Sequence, residues 1–247
     1  MGAEENRQQK PSLAVIGTGI AGLSAAYLLK DLYRVTVFES QARAGMGAHS
    51  VDYVSNGVSR RIDIPLRIFC RRYYENLFAL YNHIGVEIVT SDHSGIFADE
   101  AGRVMLHYGN IQWGGSQISY LKGRSWLRRE AWTLALQSRR FFARAKRDAG
   151  QAGLAQISFG EYLQQSDPGQ AFVGTILLPM LSVTCTCDYS AVCAYPADIM
   201  LEYLTCGIHE IGIMSAAKGV EDIVPRMLVD VDLRTNSPIA TIEPAGE

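Results

Sequence analysis

The stretch Ser12-Leu13-Ala14-Val15-Ile16-Gly17-Thr18-Gly19-Ile20-Ala21-Gly22 decides how the rest of this 247-residue chain is read. A short apolar run, LAVI, runs into three glycines spaced G-x-G-x-x-G, and Ile20, Leu23, Tyr27, Leu28 and Leu32 then recur at helical spacing. After Arg34 the residues VTVFE read as a second buried strand ending in an acid, Glu39. Strand, glycine turn, helix and strand within about 30 residues make a right-handed βαβ unit with parallel strands. In such a unit Gly17 permits the tight turn, Gly19 lets a pyrophosphate approach the backbone, and Gly22 lets helix and strand pack closely. Ile20 and Ala21 open the helix, whose N–H groups and positive dipole end face the phosphates. Glu39 stands where a carboxylate accepts ribose hydroxyls. The motif predicts a dinucleotide site.

Outward from this unit, the first eleven residues are polar and predict a disordered tail, with no apolar core of a secretory signal. Gly2 is followed by Asn6 where a myristoylation motif needs Ser or Thr. Residues 43–57 are rich in Gly, Ala, Ser and His and read as a loop. Residues 71–84 read as a helix with Gly85 as its C-cap, followed by the strand VEIVT; residues 93–120 read as a hairpin or two. The longest helical candidate is Ser125 to Asp148. Further helices are expected at Ile157–Gln165, at Ala171–Val183 with a kink near Pro179, at Ala197–Tyr203 and up to about Leu228. Alternating strand material follows in DVDLRTNSPIATIE.

Composition excludes some classes of function. The chain is 48% hydrophobic with a formal net charge of −2, which argues against both a disordered chain and a globally basic nucleic-acid binder. Five cysteines in a chain of this length predict reduced thiols and a cytoplasmic setting. Cys185, Cys187, Cys193 and Cys206 have no zinc-ligand spacing, and His49, His83, His93, His107 and His209 are isolated from one another, so no metal is expected. Between Tyr120 and Asp148 stand nine positive residues, with Trp126, Leu127, Trp132, Leu134, Leu136, Phe141 and Phe142 among them. Residues 120–148 can be a solvated helix flank or can lie peripherally on an anionic membrane.

The segment LAVIGTGIAGLSAAYLLKDLYRVTVFESQARAG resembles the N-terminal FAD signature of the amine oxidase and phytoene desaturase superfamily. Glu39, Arg43 and Gly45 match that pattern; Met46 replaces its second glycine, and Gly47 follows. His49 lies in GAHSVDY, similar to a GGH-type loop of one flavin oxidoreductase branch. Ile62-Asp63-Ile64 matches an apolar-Asp-apolar strand of that branch, with Pro65 in place of a usual glycine. YYENLFALYNHIGVEI resembles its next helix and strand, and LLPMLSVTCTCDYSAVCAYPA resembles a Cys-Thr-Cys segment of fungal members. GVEDIVPRMLVDVDLRTNSPIATI resembles the segment that returns to the FAD domain, where Ile239 would touch the adenine side.

The resemblance implies an α/β fold. A Rossmann-like FAD-binding domain would comprise residues 12–65 and 215–247, with an α+β substrate or cap domain inserted at 66–214. It also implies a chain shorter than the superfamily's, without the C-terminal half and its Gly-Asp segment. For function it implies FAD at Gly17, Gly19, Ile20, Ala21, Gly22, Glu39, Arg43, Gly45, Gly47 and Ile239, and oxidation of a small lipophilic or amine-type substrate, with a place in fungal secondary metabolism. No side chain is assigned as catalytic acid or base. Two other readings stay open: a shortened flavoprotein fold acting as a cyclase or isomerase without redox turnover, and a non-catalytic dinucleotide-binding remnant.

Overall fold

The computed structural model describes residues 10–114, 116–206 and 212–244. The first half of the chain runs β1 (Ser12–Ile16), α1 (Ile20–Leu29), β2 (Arg34–Phe38), β3 (His49–Ser55), β4 (Val58–Ile64), α2 (Glu75–His83), β5 (Ile88–Ser91), β6 (Gly95–Ala98), β7 (Val104–Trp113) and β8 (Ser116–Leu121). The second half runs α3 (Arg129–Asp148), α4 (Phe159–Ser166), α5 (Leu178–Cys185), α6 (Tyr189–Ala194), α7 (Ala197–Thr205), β9 (Ile213–Ala216), α8 (Val220–Met227) and β10 (Asp232–Arg234). Met1, Gly2, Asn6 and the rest of residues 1–9 of the expected tail, and His209, lie outside the described residues.

The chain divides into two units. Unit 1 takes residues 1–69, 75–89 and 214–247; unit 2 takes 70–74 and 90–213. Helix α2 thus falls in unit 1, where the sequence reading had given it to the inserted segment. Its Tyr81 is buried with Leu23, Phe69, Val86, Val220 and Met227 in one apolar cluster, and that packing is what holds it there.

In unit 1, β2 is the central strand of a parallel three-stranded sheet ordered β1-β2-β10. Val35 and Val37 of β2 are buried against Ala26 of α1. The helix buries Leu23 and Ala26 but leaves Leu28 and Leu32 61% and 65% exposed. The expected single face therefore fails: at about 100° per residue, Leu28 points some 140° away from Leu23, and Leu32 lies beyond the helix end. The expected loop at 43–57 also contains β3, which pairs antiparallel with β4 from His49↔Ile64 to Ser55↔Val58. Its turn is Asn56-Gly57 with φ of 51° and 76°, the left-handed pair that a tight hairpin demands. Of the expected C-terminal strand material, only Asp232–Arg234 joins the sheet.

Unit 2 holds the meander β6-β7-β8 and a helical cluster. Helix α3 buries Ala131, Leu134, Phe141 and Ala145, a spacing that puts them on one face, with Phe159, Phe172, Leu177, Leu181 and Leu201. Its last turn is fixed by Asp148, which accepts from Arg144 Nε at 3.2 Å and from Tyr162 Oη at 2.9 Å. Ser158 and Glu161 form a reciprocal capping box at α4. Ahead of Pro179, where a kink is expected, the chain takes a π-helical turn at Val173–Leu177 and then α5, with the proline in its first turn.

Candidate dinucleotide site

β1 delivers the chain to Gly17, whose φ of +88° lies in the left-handed region. Its N–H donates to Phe38 O at 2.7 Å, so the loop is tied to the end of β2. Gly19 is the N-cap of α1, and the helix begins with neither a side-chain cap nor an acid in its first turn. Its first N–H groups and dipole are thereby left to an anion.

The three glycines have different surroundings. A Cβ on Gly17 or Gly19 would meet nothing within 4 Å, so both face open space. A Cβ on Gly22 would collide with the carbonyl oxygen of Gly17 and stand 3.4 Å from Val15 Cγ1. Gly22 is needed for packing, and Gly19 for access.

Glu39 follows β2 and is only 8% exposed. Its backbone is held by Arg234 O, which accepts its N–H at 2.8 Å, and by Ser237 N–H, which donates to its carbonyl at 2.8 Å. Its carboxylate is already engaged. Oε2 accepts from Thr18 N–H at 2.9 Å and from the Thr18 hydroxyl; Oε1 accepts from Gln41 N–H at 2.8 Å and from Ser40 Oγ at 3.3 Å. The Thr18 hydroxyl, followed by the Gln41 N–H, holds this carboxyl below its ordinary pKa, so it is ionised at neutral pH.

The following loop is fastened to the same threonine. Met46 N–H donates to Thr18 O at 3.0 Å, and Gly45 N–H reaches Thr18 Oγ1 at 3.4 Å. Met46, which stands where the resembling pattern has glycine, adopts φ +55° and buries its side chain. Arg67 donates to the carbonyls of Met46 and Gly47 at 3.1 and 3.3 Å.

These segments line a cleft of about 970 Å³, closed on another side by Val220, Glu221, Val224 and Pro225 of α8. Helix α8 is positioned by Asp63, whose Oδ1 accepts from Val220 N–H at 3.0 Å and from Ser50 Oγ at 2.7 Å. Arg61 stands 4.0 Å from Glu221 and partly offsets its charge.

Of the sequence-derived residues, Gly17, Gly19, Glu39, Arg43, Gly45, Gly47 and His49 line the cleft. Gly22 lies behind it. Ile20, Ala21 and Ile239 are solvent-exposed and are not among its lining residues. The sequence reading gave Thr18, Asp63, Arg67 and the α8 residues no role in the site, although it noted the Asp63 strand and the returning α8 segment. Asp63 had a signal, an acid within an apolar strand, but its partner lies 157 residues away.

All five cysteines are free, and no group of His, Cys, Asp and Glu among the described residues could hold a metal ion. Burial raises the thiol pKa of Cys185 and Cys193, away from nucleophile chemistry. Among the described residues no helix is long and apolar enough to cross a membrane.

The family profile for NAD(P)-binding Rossmann-like domains matches residues 15–84. A redesigned putrescine oxidase superposes with a TM-score of 0.58 at 18% identity, over 93% of this chain and 51% of that one. Cyclohexylamine oxidase from Brevibacterium oxydans gives 0.53 at 15% identity, over 91% and 51%. The chain carries the fold of these oxidases, with a Rossmann-like dinucleotide-binding domain at its start.

Zeta-carotene desaturases from Solanum lycopersicum and Capsicum annuum are 32% and 33% identical over 109 and 107 residues. Each of these matches takes in 41% of this chain and 17% of the desaturase. The chain spans about half the length of the two solved oxidase structures given above.

The residues present suit the ADP part of a dinucleotide. The open space over Gly17 and Gly19, the uncapped start of α1 and the buried, ionised Glu39 all converge on one cleft.

Proposed function

We propose that unit 1 binds FAD through its ADP half, and that the chain forms the dinucleotide-binding part of a flavin-dependent oxidoreductase for a small lipophilic or amine-type substrate. The observation that carries this reading is the division of labour between Gly19, which faces open space, and Gly22, which cannot accept a Cβ. A surface turn rich in glycine has no reason to show that contrast. When bound, the flavin would supply hydride acceptance. The chain's own residues would hold it: the N–H groups after Gly19 take the pyrophosphate, Glu39 takes the ribose, and the exposed guanidinium of Arg43 adds positive charge beside the phosphates. The relatives support an oxidase or desaturase, since their names are those of amine oxidases and carotene desaturases. The test is the absorption spectrum of the purified chain after incubation with FAD and gel filtration. About one equivalent of retained flavin supports the proposal; a folded protein that retains none overturns it.

We also propose peripheral contact with an anionic membrane through residues 120–148. Its support is local to unit 2. Trp126 and Trp132 stack edge to face at 5.0 Å, 58% and 41% exposed, beside Leu127 at 83%. Lys122, Arg124, Arg128 and Arg129 surround them in sequence. Aromatic rings with flanking cations suit the headgroup region of such a surface.

A further inference from the structure

Glu39 already has four hydrogen-bond donors from its own chain, and a carboxylate offers about four acceptor sites. Their arrangement is symmetrical in kind. Each oxygen takes one backbone N–H, from Thr18 or Gln41, and one side-chain hydroxyl, from Thr18 or Ser40. The backbone donors are fixed by the glycine loop and by the turn after β2. The two hydroxyls can each turn the O–H bond away from the carboxylate, Thr18 while keeping its oxygen toward Gly45 N–H.

We propose that the hydroxyls of Thr18 and Ser40 occupy on Glu39 the two places that a vicinal diol takes, so that nucleotide binding exchanges two internal O–H···O⁻ bonds for two from the ribose. This inference rests on the dinucleotide reading of the cleft and concerns its selectivity. The exchange conserves the number of hydrogen bonds to the carboxylate, so the diol adds little affinity in the native chain. Thr18 and Ser40 are then specificity-setting residues: they keep Glu39 satisfied without ligand and reduce the advantage of ribose over a sugar lacking hydroxyls. Neither is expected to touch the phosphates.

The experiment compares ADP with 2′,3′-dideoxy-ADP by calorimetric titration of the native chain, Thr18→Val/Ser40→Ala and Thr18→Ser. Removing both hydroxyls leaves two acceptor sites to water, and the diol then fills them without breaking a bond within the chain. The preference for ADP should rise from within about threefold in the native chain to about tenfold or more in the double variant, the scale of a hydrogen bond to a charged group. Thr18→Ser keeps a hydroxyl and should behave like the native chain. Because Thr18 is buried, Ser40→Ala, at an exposed position, gives an independent reading and should raise the preference severalfold by itself. A preference that falls or stays unchanged in the folded variants overturns the exchange alone, because ADP still binds. Failure of both nucleotides to bind the folded native chain overturns the dinucleotide reading and the exchange with it.

Discussion

Gly22 and Gly17 touch across the turn between β1 and α1: the Gly17 carbonyl oxygen fills the space in which a Gly22 side chain would begin. The turn is closed by backbone on its inner side and open on its outer side, at Gly19. Stability and binding are therefore assigned to different glycines, and substitutions should separate them.

Gly22→Ala should lower stability by about 1–3 kcal/mol, the scale of overpacking a close contact. Gly19→Val, at φ −63° with no atom near its Cβ, should leave the melting temperature within a degree or two and reduce ADP affinity at least about tenfold. Thermal denaturation and ADP titration of the two variants check this. A Gly19→Val protein that binds ADP normally would contradict the placement of the pyrophosphate.

Asp63 links β4 to the first turn of α8, and so holds one wall of the cleft. Asp63→Ala should cost about 1–2 kcal/mol, as for loss of a helix cap. Urea unfolding measures it. Ser50→Ala removes only the hydroxyl partner and should cost less.

The pH dependence follows from the lowered pKa of Glu39. A carboxyl whose folded pKa lies below its unfolded one stabilises the fold above the unfolded value, 4.5, and loses that contribution as pH falls through the folded value. Thr18→Val removes the largest cause of the shift. The difference in unfolding free energy between native and Thr18→Val proteins should be greatest near neutral pH and shrink as pH falls below 4.5. A difference that grows in acid would contradict the assignment.

For the membrane surface, sedimentation with vesicles is direct. Phosphatidylcholine vesicles containing phosphatidylserine should carry the protein down, 0.5 M salt or so should release it, and Trp126→Ser/Trp132→Ser should abolish it. Equal binding to neutral vesicles would contradict the part given to the cations, and binding to neither would leave α3 a solvated flank.

The glycine loop and Glu39 were legible in the sequence because their chemistry is local: strand, turn, helix and acid follow one another within a short span. The hairpin at 49–64 was legible in principle, since Asn56-Gly57 between alternating residues is a strong turn signal, but the glycines and histidine before it suggested a loop. The resemblance gave residues 215–247 to the same domain, but that α8 walls the cleft was not legible. Val220 and Val224 join the cleft through Asp63 and the cluster around Leu23, contacts that span well over a hundred residues. Nor does spacing disclose that Glu39 is saturated, which depends on the rotamers of Thr18 and Ser40. The apolar residues of α1 were misassigned to one face because the helix is apolar all round, so its pattern does not point to the sheet.

The central claim is that the cleft of unit 1 is a site for the ADP part of FAD. Its most direct measurement is quenching of FAD fluorescence on addition of the purified chain, followed by titration with ADP. The account predicts saturable binding near one equivalent, full displacement by ADP, and loss of both in folded Gly19→Val. FAD binding that ADP fails to displace, or that survives Gly19→Val unchanged, would contradict it.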